Sequence, residues 1–497
     1  MDSSVSRAST DEPETAAGRI TPDGGAVRAL VHQCRPSGNQ TTFHPPSYLI
    51  TTLGCRVNRA DSISIERDFA ETGFRKAGPD EVPDVWVVNT CAVTAEGMRK
   101  SRKAVRRCAR SGAHIIVTGC APELELDTFQ TLTGVHAVVK NSEKSMIASM
   151  ASELEGWADQ PIPWRCDKLV RVPLKVQDGC ERFCTYCVVP YIRGKHVSRA
   201  LPDVIRDVGV MSDAGVGEVV ICGIDLGSYR DPESGAVLHD LVERVVDNAG
   251  DMWVRLSSIE LCEVTDRLLE TMSEENALRK YLHVPLQSGD DTVLADMGRN
   301  YSTAWFRSRV AEIRDAVPEA GISTDVMVGF PTESEEAFDG TRSMMEETGF
   351  SMAHVFKYSP RPLTAAISLG DPVEATTKGR RAEELIRISR ESAVRFHRGL
   401  IGRIILVLVE GMLEGEAGSV LGRAGNFAGV VINGDRGLIG KKIPVRVTGY
   451  GPRWLRGEPA EAVVESTRIW EENELGGMPV LPNSEKGSRH GHSRGAN

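Results

Sequence analysis

The sequence predicts an α/β protein with three parts: an open parallel α/β domain, a partial parallel (β/α)6 barrel and a small C-terminal β-barrel. Three observations predict it. Short apolar runs alternate with helix-period segments through most of the chain, which is the grammar of parallel sheets. Cysteines fall directly after several of those runs, at the strand ends where such folds collect ligands. Past residue 402 the pattern changes to short strands broken by glycine.

The first domain is expected over residues 47–153. Ser47–Thr52 reads as a strand leading to Gly54-Cys55, and Ser62–Thr72 as a helix. Asp84–Asn89 is a buried strand leading to Cys91. Glu96–Ser111 is a helix, and His114–Thr118 a strand leading to Gly119-Cys120. The carboxyl ends of parallel strands share one edge of the sheet. Cys55, Cys91 and Cys120 are therefore expected to converge there as a three-thiol cluster site. The plainer alternative is three unrelated buried cysteines.

The second domain is expected over residues 166–400. Its strands are Val170–Gln177, Glu218–Cys222, Trp253–Ser257, Tyr281–Pro285, Ser323–Val328 and Ala353–Tyr358. Its helices are Pro202–Ala214, Leu238–Asn248, Thr265–Ser273, Thr303–Ala316, Ser334–Thr348 and Thr376–Phe396. Six β-α units make a parallel barrel that stops short of the complete form. Polar groups and glycines follow the strand ends, as in Gly223-Ile224-Asp225, Ser257-Ser258-Ile259-Glu260 and Gly329-Phe330-Pro331. A bound polar cofactor needs such a lining.

The third domain is expected over residues 402–466, with strands Ile404–Glu410, Val420–Gly422, Gly429–Ile432 and Ile443–Tyr450. Small barrels of this kind grip single-stranded nucleic acid through basic and aromatic groups. Phe427, Tyr450 and Trp454 read either as such contacts or as core. Residues 1–46 read as a disordered extension without a secretory leader, and residues 483–497 as a disordered tail.

The densest chemical signal is Cys180-Glu181-Arg182-Phe183-Cys184-Thr185-Tyr186-Cys187. A structural zinc site takes four protein ligands. This C-x3-C-x2-C triplet has no fourth cysteine or histidine nearby at ligand spacing. It suits a [4Fe–4S] cluster whose fourth iron stays open to a small ligand. A zinc knuckle and simple core packing are the competing readings. Cys34, Cys108, Cys166, Cys222 and Cys262 are assigned to packing and not to iron. The histidines show no metal spacing, and His283 reads as a core or cofactor-edge residue.

The chain has 11 cysteines, an odd number, with no export signal. That favours a reducing, cytoplasmic setting and metal or catalytic use over disulfides. No apolar run is long enough to span a membrane. The net charge of −10 by itself disfavours a general nucleic-acid coat, but local charge differs. Arg99, Lys100, Arg102, Lys103, Arg106, Arg107 and Arg110 form one basic stretch. Lys441, Lys442, Arg446, Arg453 and Arg456 form another. They read as solvated surface or as contacts to a phosphate-rich partner.

Several segments together resemble the radical S-adenosylmethionine (SAM) methylthiotransferases. They are Thr52 to Asn58 (TLGCRVN), Asn89 to Thr94 (NTCAVT), Val117 to Cys120, Gln177 to Tyr191, Leu256 to Glu260 and His283 to Gly289. Thr324 to Pro331 and Tyr358 to Pro362 complete the set, which spans roughly residues 47–465. "TLGCRVN" and "HVFKYSPRP" are most similar to the branch acting on N6-threonylcarbamoyladenosine at tRNA position 37. Two departures stand out: Cys222 where the family often has threonine, and Leu363-Thr364 in place of the usual Gly-Thr.

The resemblance implies an N-terminal cluster domain, a radical SAM barrel and a TRAM domain. It implies two [4Fe–4S] clusters and two SAM molecules per reaction, which replaces the adenine C2–H by C–SCH3. Cys180, Cys184 and Cys187 would hold the cluster that reduces SAM to a 5′-deoxyadenosyl radical. Cys55, Cys91 and Cys120 would hold the cluster that carries the sulfur. Gly223, Glu260 and Asp325 sit where similar enzymes contact SAM. The implied partners are tRNA, with its modified base presented unstacked from a loop, and an electron donor of flavodoxin or ferredoxin type. Isopentenyladenosine in tRNA and ribosomal protein S12 stand as alternative acceptors, and a non-catalytic iron–sulfur RNA-binding protein as an alternative class.

Overall fold

The computed structural model describes residues 45–155, 161–162 and 169–460. Residues 1–44 of the expected extension, the expected tail, Cys34 and Cys166 lie outside the described residues. The first sheet has five parallel strands: β1 (Ser47–Thr52), β2 (Arg75–Lys76), β3 (Val85–Thr90), β4 (His114–Gly119) and β5 (Val135–Val138). Their order is β2-β1-β3-β4-β5. Edge strands β2 and β5 were not expected. One has two residues and the other, VHAV, is only half-buried, so neither carries a strong apolar signal.

Helix α1 (Arg56–Glu71) follows β1 and α2 (Ala95–Cys108) follows β3. The expected start of α1, Ser62, is too late. Its first turns carry Arg56, Asn58, Arg59 and Asp61, which hide the apolar period. Two of those polar groups, Asn58 and Asp61, are buried and bond residues of the second domain. Ile63 of α1 belongs to the barrel's own apolar core.

The second domain contains β6 (Arg171–Lys175), the short antiparallel pair β7 (Gln177–Asp178) and β8 (Val197–Ser198), then β9 (Glu218–Cys222) and β10 (Trp253–Leu256). Strands β11 (Tyr281–His283), β12 (Gly321–Val328) and β13 (Met352–Lys357) follow. Parallel β6-β9-β10 and β11-β12-β13 form two sheets of three. The isolated bridges Val254–Leu278 and Ser258–His283 join them. Six parallel strands thus run side by side in chain order, as a partial barrel around one apolar core. No helix among the described residues is long and apolar enough to cross a membrane.

The third sheet closes on itself: β14 (Ile404–Met412), β15 (Ser419–Ala424), β16 (Gly429–Asn433), β17 (Lys442–Tyr450) and β18 (Leu455–Pro459), in the order β14-β15-β16-β18-β17. Closure leaves no open edge. Strand β18 was not among the four expected, because LRGEP carries a glycine and a proline. The small barrel docks on the large one. Arg255 donates to the Gly425 carbonyl at 2.9 Å, and the Phe427 ring stacks on Tyr281 with centroids 4.4 Å apart. Phe427 is thus an inter-domain contact. Trp454 is buried core and Tyr450 is exposed.

Candidate cluster and cofactor site

The β1, β3 and β4 ends deliver Cys55, Cys91 and Cys120 to one edge of the first sheet. The glycine before Cys55 is required there. Gly54 has φ +97°, and a Cβ on it would stand 2.8 Å from Cys91 Cβ and 3.0 Å from its sulfur. Gly119 has φ +96°, and a Cβ would meet the Thr90 carbonyl oxygen at 2.4 Å. Only glycine lets the loops crowd this way. Asn58 donates 2.8 Å bonds to the carbonyls of Leu53 and Thr90, tying the loop before Cys55 to the strand end before Cys91. Cys91 is held through Ser101, which accepts from its N–H and donates to its carbonyl. The charges of Cys91 and Cys120 both feel Cys55. Burial pushes the Cys120 thiol up to about 11 and raises Cys91.

The second trio lies in the loop between β7 and β8. Its backbone is tied on three sides. Cys180 N–H donates to the Gly194 carbonyl at 3.1 Å, Thr185 N–H to Met297 at 3.0 Å, and Ala366 N–H to the Thr185 carbonyl at 2.8 Å. Cys184 Sγ accepts from Arg299 Nη1 at 3.6 Å. Burial pushes Cys180 up to about 11 and Cys187 to about 12, with neighbouring charges adding to both. All six cysteines are free thiols.

One ionic hub links the trios. Asp61 of α1 is buried and accepts from Lys144 at 2.6 Å, Lys175 at 2.5 Å and Arg193 at 3.0 Å. Arg193 ends the helix Val189–Arg193, just past the barrel trio. It also bonds Asn58, and the charges of Cys55 and Cys120 act on it. Sequence reading missed Arg193, Asp61 and Asn58. The available signal was polar residues at positions where helices should be apolar.

Gly223 follows β9, and a Cβ there would press on Gln177 Oε1 at 2.7 Å. Glu260 is bonded by Arg299, the same guanidinium that reaches Cys184. Asp325 lies 3.1 Å from His283 Nε2, and His283 Nδ1 is 2.8 Å from Ser323 Oγ. His354 completes a group whose ligand atoms all lie within 4.8 Å of one another. Cys222 packs against Val57 and Ala60 of α1, and Cys108 lies in the core of the first domain. Cys262 is exposed.

The basic stretches are partly consumed internally. Arg99 and Lys100 pair with Glu96, and Arg102 with Glu125 at 2.7 Å. Lys103, Arg106, Arg107 and Arg110 stay exposed. In the third domain Lys442 bonds the Asp251 carbonyl and Arg456 pairs with Glu416 at 2.9 Å. Lys441 and Arg446 are exposed.

The donor sets suit a cluster better than a single ion. A structural zinc takes four protein ligands, whereas each cysteine trio supplies three free thiols. Three thiols match an iron–sulfur cube with one iron left free.

Residues 47–140 match the family model described as uncharacterized protein family UPF0004, and residues 174–345 match the radical SAM superfamily. The threonylcarbamoyladenosine tRNA methylthiotransferase MtaB of Bacillus subtilis is 32% identical over 431 residues, covering 82% of this chain and 95% of that protein. MtaB of Chlamydia pneumoniae is 32% identical over 367 residues, 73% of this chain and 87% of that one. The tRNA-2-methylthio-N(6)-dimethylallyladenosine synthase of Aromatoleum aromaticum is 32% identical over 440 residues, 82% and 98% of the two chains. The radical SAM methyltransferase TsrM from Kitasatospora setae shares the fold with TM-score 0.50 at 11% identity, over 65% of this chain and 77% of that one. The protein is a transferase that uses SAM and [4Fe–4S] clusters. With both matched segments in place and a relative aligned over nearly its whole length, the chain belongs to the radical SAM methylthiotransferase family.

Proposed function

We propose that this chain converts N6-threonylcarbamoyladenosine in tRNA to its 2-methylthio derivative, using two SAM molecules and two [4Fe–4S] clusters. One observation carries the reading: two separate sets of three free thiols, linked by the Asp61–Arg193 hub. In this reading Cys180, Cys184 and Cys187 hold one cluster, and Cys55, Cys91 and Cys120 the other. When bound, the clusters and SAM supply reductive SAM cleavage and the methylthio group. The chain's residues position and shield that chemistry. Asn58 fixes the loops of the first trio. Arg299 places a positive charge beside Cys184 and orients Glu260, which with Gly223 and Asp325 lines the SAM side.

Relatives acting on two different adenosines are equally identical to this chain, so overall identity does not choose the acceptor. The choice rests on "TLGCRVN" at the first trio and "HVFKYSPRP" on β13 and its exit, both similar to the threonylcarbamoyl branch. The exposed lysine and arginines of α2, with Lys441 and Arg446, supply a salt-dependent grip on the RNA backbone. A flavodoxin- or ferredoxin-type protein is the proposed electron donor.

The test is mass spectrometry of tRNA nucleosides after anaerobic incubation with reconstituted protein, SAM and reductant. Loss of threonylcarbamoyladenosine with gain of its methylthio form supports the reading. Conversion of isopentenyladenosine alone would replace the acceptor. About four irons per chain, or zinc, without SAM cleavage would replace the enzyme by a binding module.

A further inference from the structure

The barrel interior around the Phe427 ring holds more positive charge than the carboxylates paired there answer. The guanidinium groups of Arg56, Arg171, Arg255 and Arg423 lie 5.7, 5.4, 5.0 and 4.4 Å from the centroid of the Phe427 ring. Two carboxylates serve them. Glu218, wholly buried, stands 2.6 Å from Arg171 and 2.8 Å from Arg255. Glu410 stands 2.6 Å from Arg171 and 3.5 Å from Arg423. Asp325, on β12, is engaged by His283.

Arg56 is the one of the four left over. Its contact is the face of Phe427, and no hydrogen bond or ion pair to another described residue reaches its guanidinium. It is half-buried, so the group is not simply dissolved in bulk water. A cation withdrawn from water without an acceptor is costly. The cost is recovered when an anion arrives. A guanidinium fork fits a carboxylate through two parallel bonds.

The position of Arg56 says which anion. It is the residue after Cys55, so its side chain departs from the first trio itself. His354 lies close enough that the charge of Arg56 acts on it, and His354 stands with His283 and Asp325 on the opposing β11–β13 wall. A nucleobase whose C2 faces the trios carries its N6 substituent on the ring carbon two positions from C2, within a side chain's reach of the residue after Cys55. A threonylcarbamoyl substituent ends in a carboxylate, and an isopentenyl one in hydrocarbon. We propose that Arg56 binds the carboxylate of the N6 side chain of the acceptor nucleoside and thereby sets the preference for an acidic over a hydrocarbon substituent. The inference rests on the acceptor reading above.

The test uses the full chain with clusters reconstituted anaerobically and two anticodon stem-loop RNAs. They are identical except that one carries threonylcarbamoyladenosine and the other its side-chain amide. Wild type should bind the carboxylate RNA about 10- to 100-fold more tightly, the range of charge-assisted bonds. Arg56→Gln should abolish that preference by weakening the carboxylate RNA alone. Arg56→Lys should keep part of it, since the charge remains and the fork is lost. Iron analysis of each variant shows whether the neighbouring trio still loads.

Equal weakening of both RNAs by Arg56→Gln would assign the residue to backbone phosphate or to structure and overturn the proposal. So would a preference that survives Arg56→Gln, or wild type that binds both RNAs alike. Turnover of the same samples separates the two levels. Wild type that prefers the carboxylate RNA but leaves it unmodified overturns the acceptor reading. Wild type that modifies both RNAs with equal affinity overturns the role of Arg56.

Discussion

Arg193 Nη1 lies 3.0 Å from Asp61 Oδ2, and this pair ties the barrel's cysteine loop to the helix that starts at the other trio. The geometry makes the distance between the trios a property of packed side chains and not of a linker. Asp61 serves three cations at once, so its carboxylate is the keystone of the interface.

Asp61→Asn removes the only negative charge shared by Lys144, Lys175 and Arg193 among the described residues. Burial alone would raise this carboxyl, but the three cations overcome it and hold it well below the usual carboxylate range. Uncompensated buried charges cost about 3–5 kcal/mol. Urea unfolding of the variant at neutral pH should show a loss of that order. An unchanged midpoint would remove the hub from its structural role.

Replacing Cys55, Cys91 and Cys120 by alanine together should leave about four irons per chain and preserve SAM cleavage, with no methylthio product. Replacing Cys180, Cys184 and Cys187 should also leave about four irons but abolish SAM cleavage. Iron and sulfide analysis with detection of 5′-deoxyadenosine reads both. Identical losses in the two triple variants would contradict separate sites.

Burial holds the Asp68 carboxyl up at about 6 against its ordinary 3.8, with Arg67 opposing and Glu71 adding. A raised carboxyl means that the fold disfavours the charged form. The penalty is absent below about pH 4, grows between about 4 and 6, and is complete above. Because the group is partly solvated, the effect is screened to about 1 kcal/mol. Asp68→Asn should therefore raise stability at pH 7.5 and leave it unchanged at pH 4. Equal gains at both values would rule out the titration.

Leu363 has φ +70°, a left-handed conformation that favours glycine, and is 60% exposed. A left-handed backbone costs a branched side chain about 1 kcal/mol, and little burial offsets it here. Leu363→Gly should raise the unfolding midpoint correspondingly. The loop it belongs to holds the Thr185 carbonyl through Ala366, so the variant also reports on the barrel trio. A lower midpoint would mean that the leucine packs on something the free chain does not show.

Much of this architecture is legible residue by residue. DVWVVN and HIIVT announce buried parallel strands, and β3 and β4 occupy them with one-residue shifts. All six barrel strands fall where apolar runs meet polar loops. The C-x3-C-x2-C spacing is local and needs no fold to be read. The start of α1 was not legible, because Asn58 and Asp61 look like surface and are interface. Strand β18 was hidden by its glycine and proline, and its pairing with β16 spans more than twenty residues. Phe427 looked equally like an RNA contact and a core residue until Tyr281 and four arginines were seen around it.

The order of residues along the chain was enough to establish the alternation of strand and helix, the two sets of thiols and the family. The alternation and the thiol sets follow from periodicity and spacing along the chain, and the family from the resemblance of its motifs. Which arginine lacks a carboxylate, which aspartate joins two domains and which aromatic ring seals the barrel depend on groups more than a hundred positions apart. Charge balance and desolvation are settled only when those groups share one interior, and so they belong to the folded molecule.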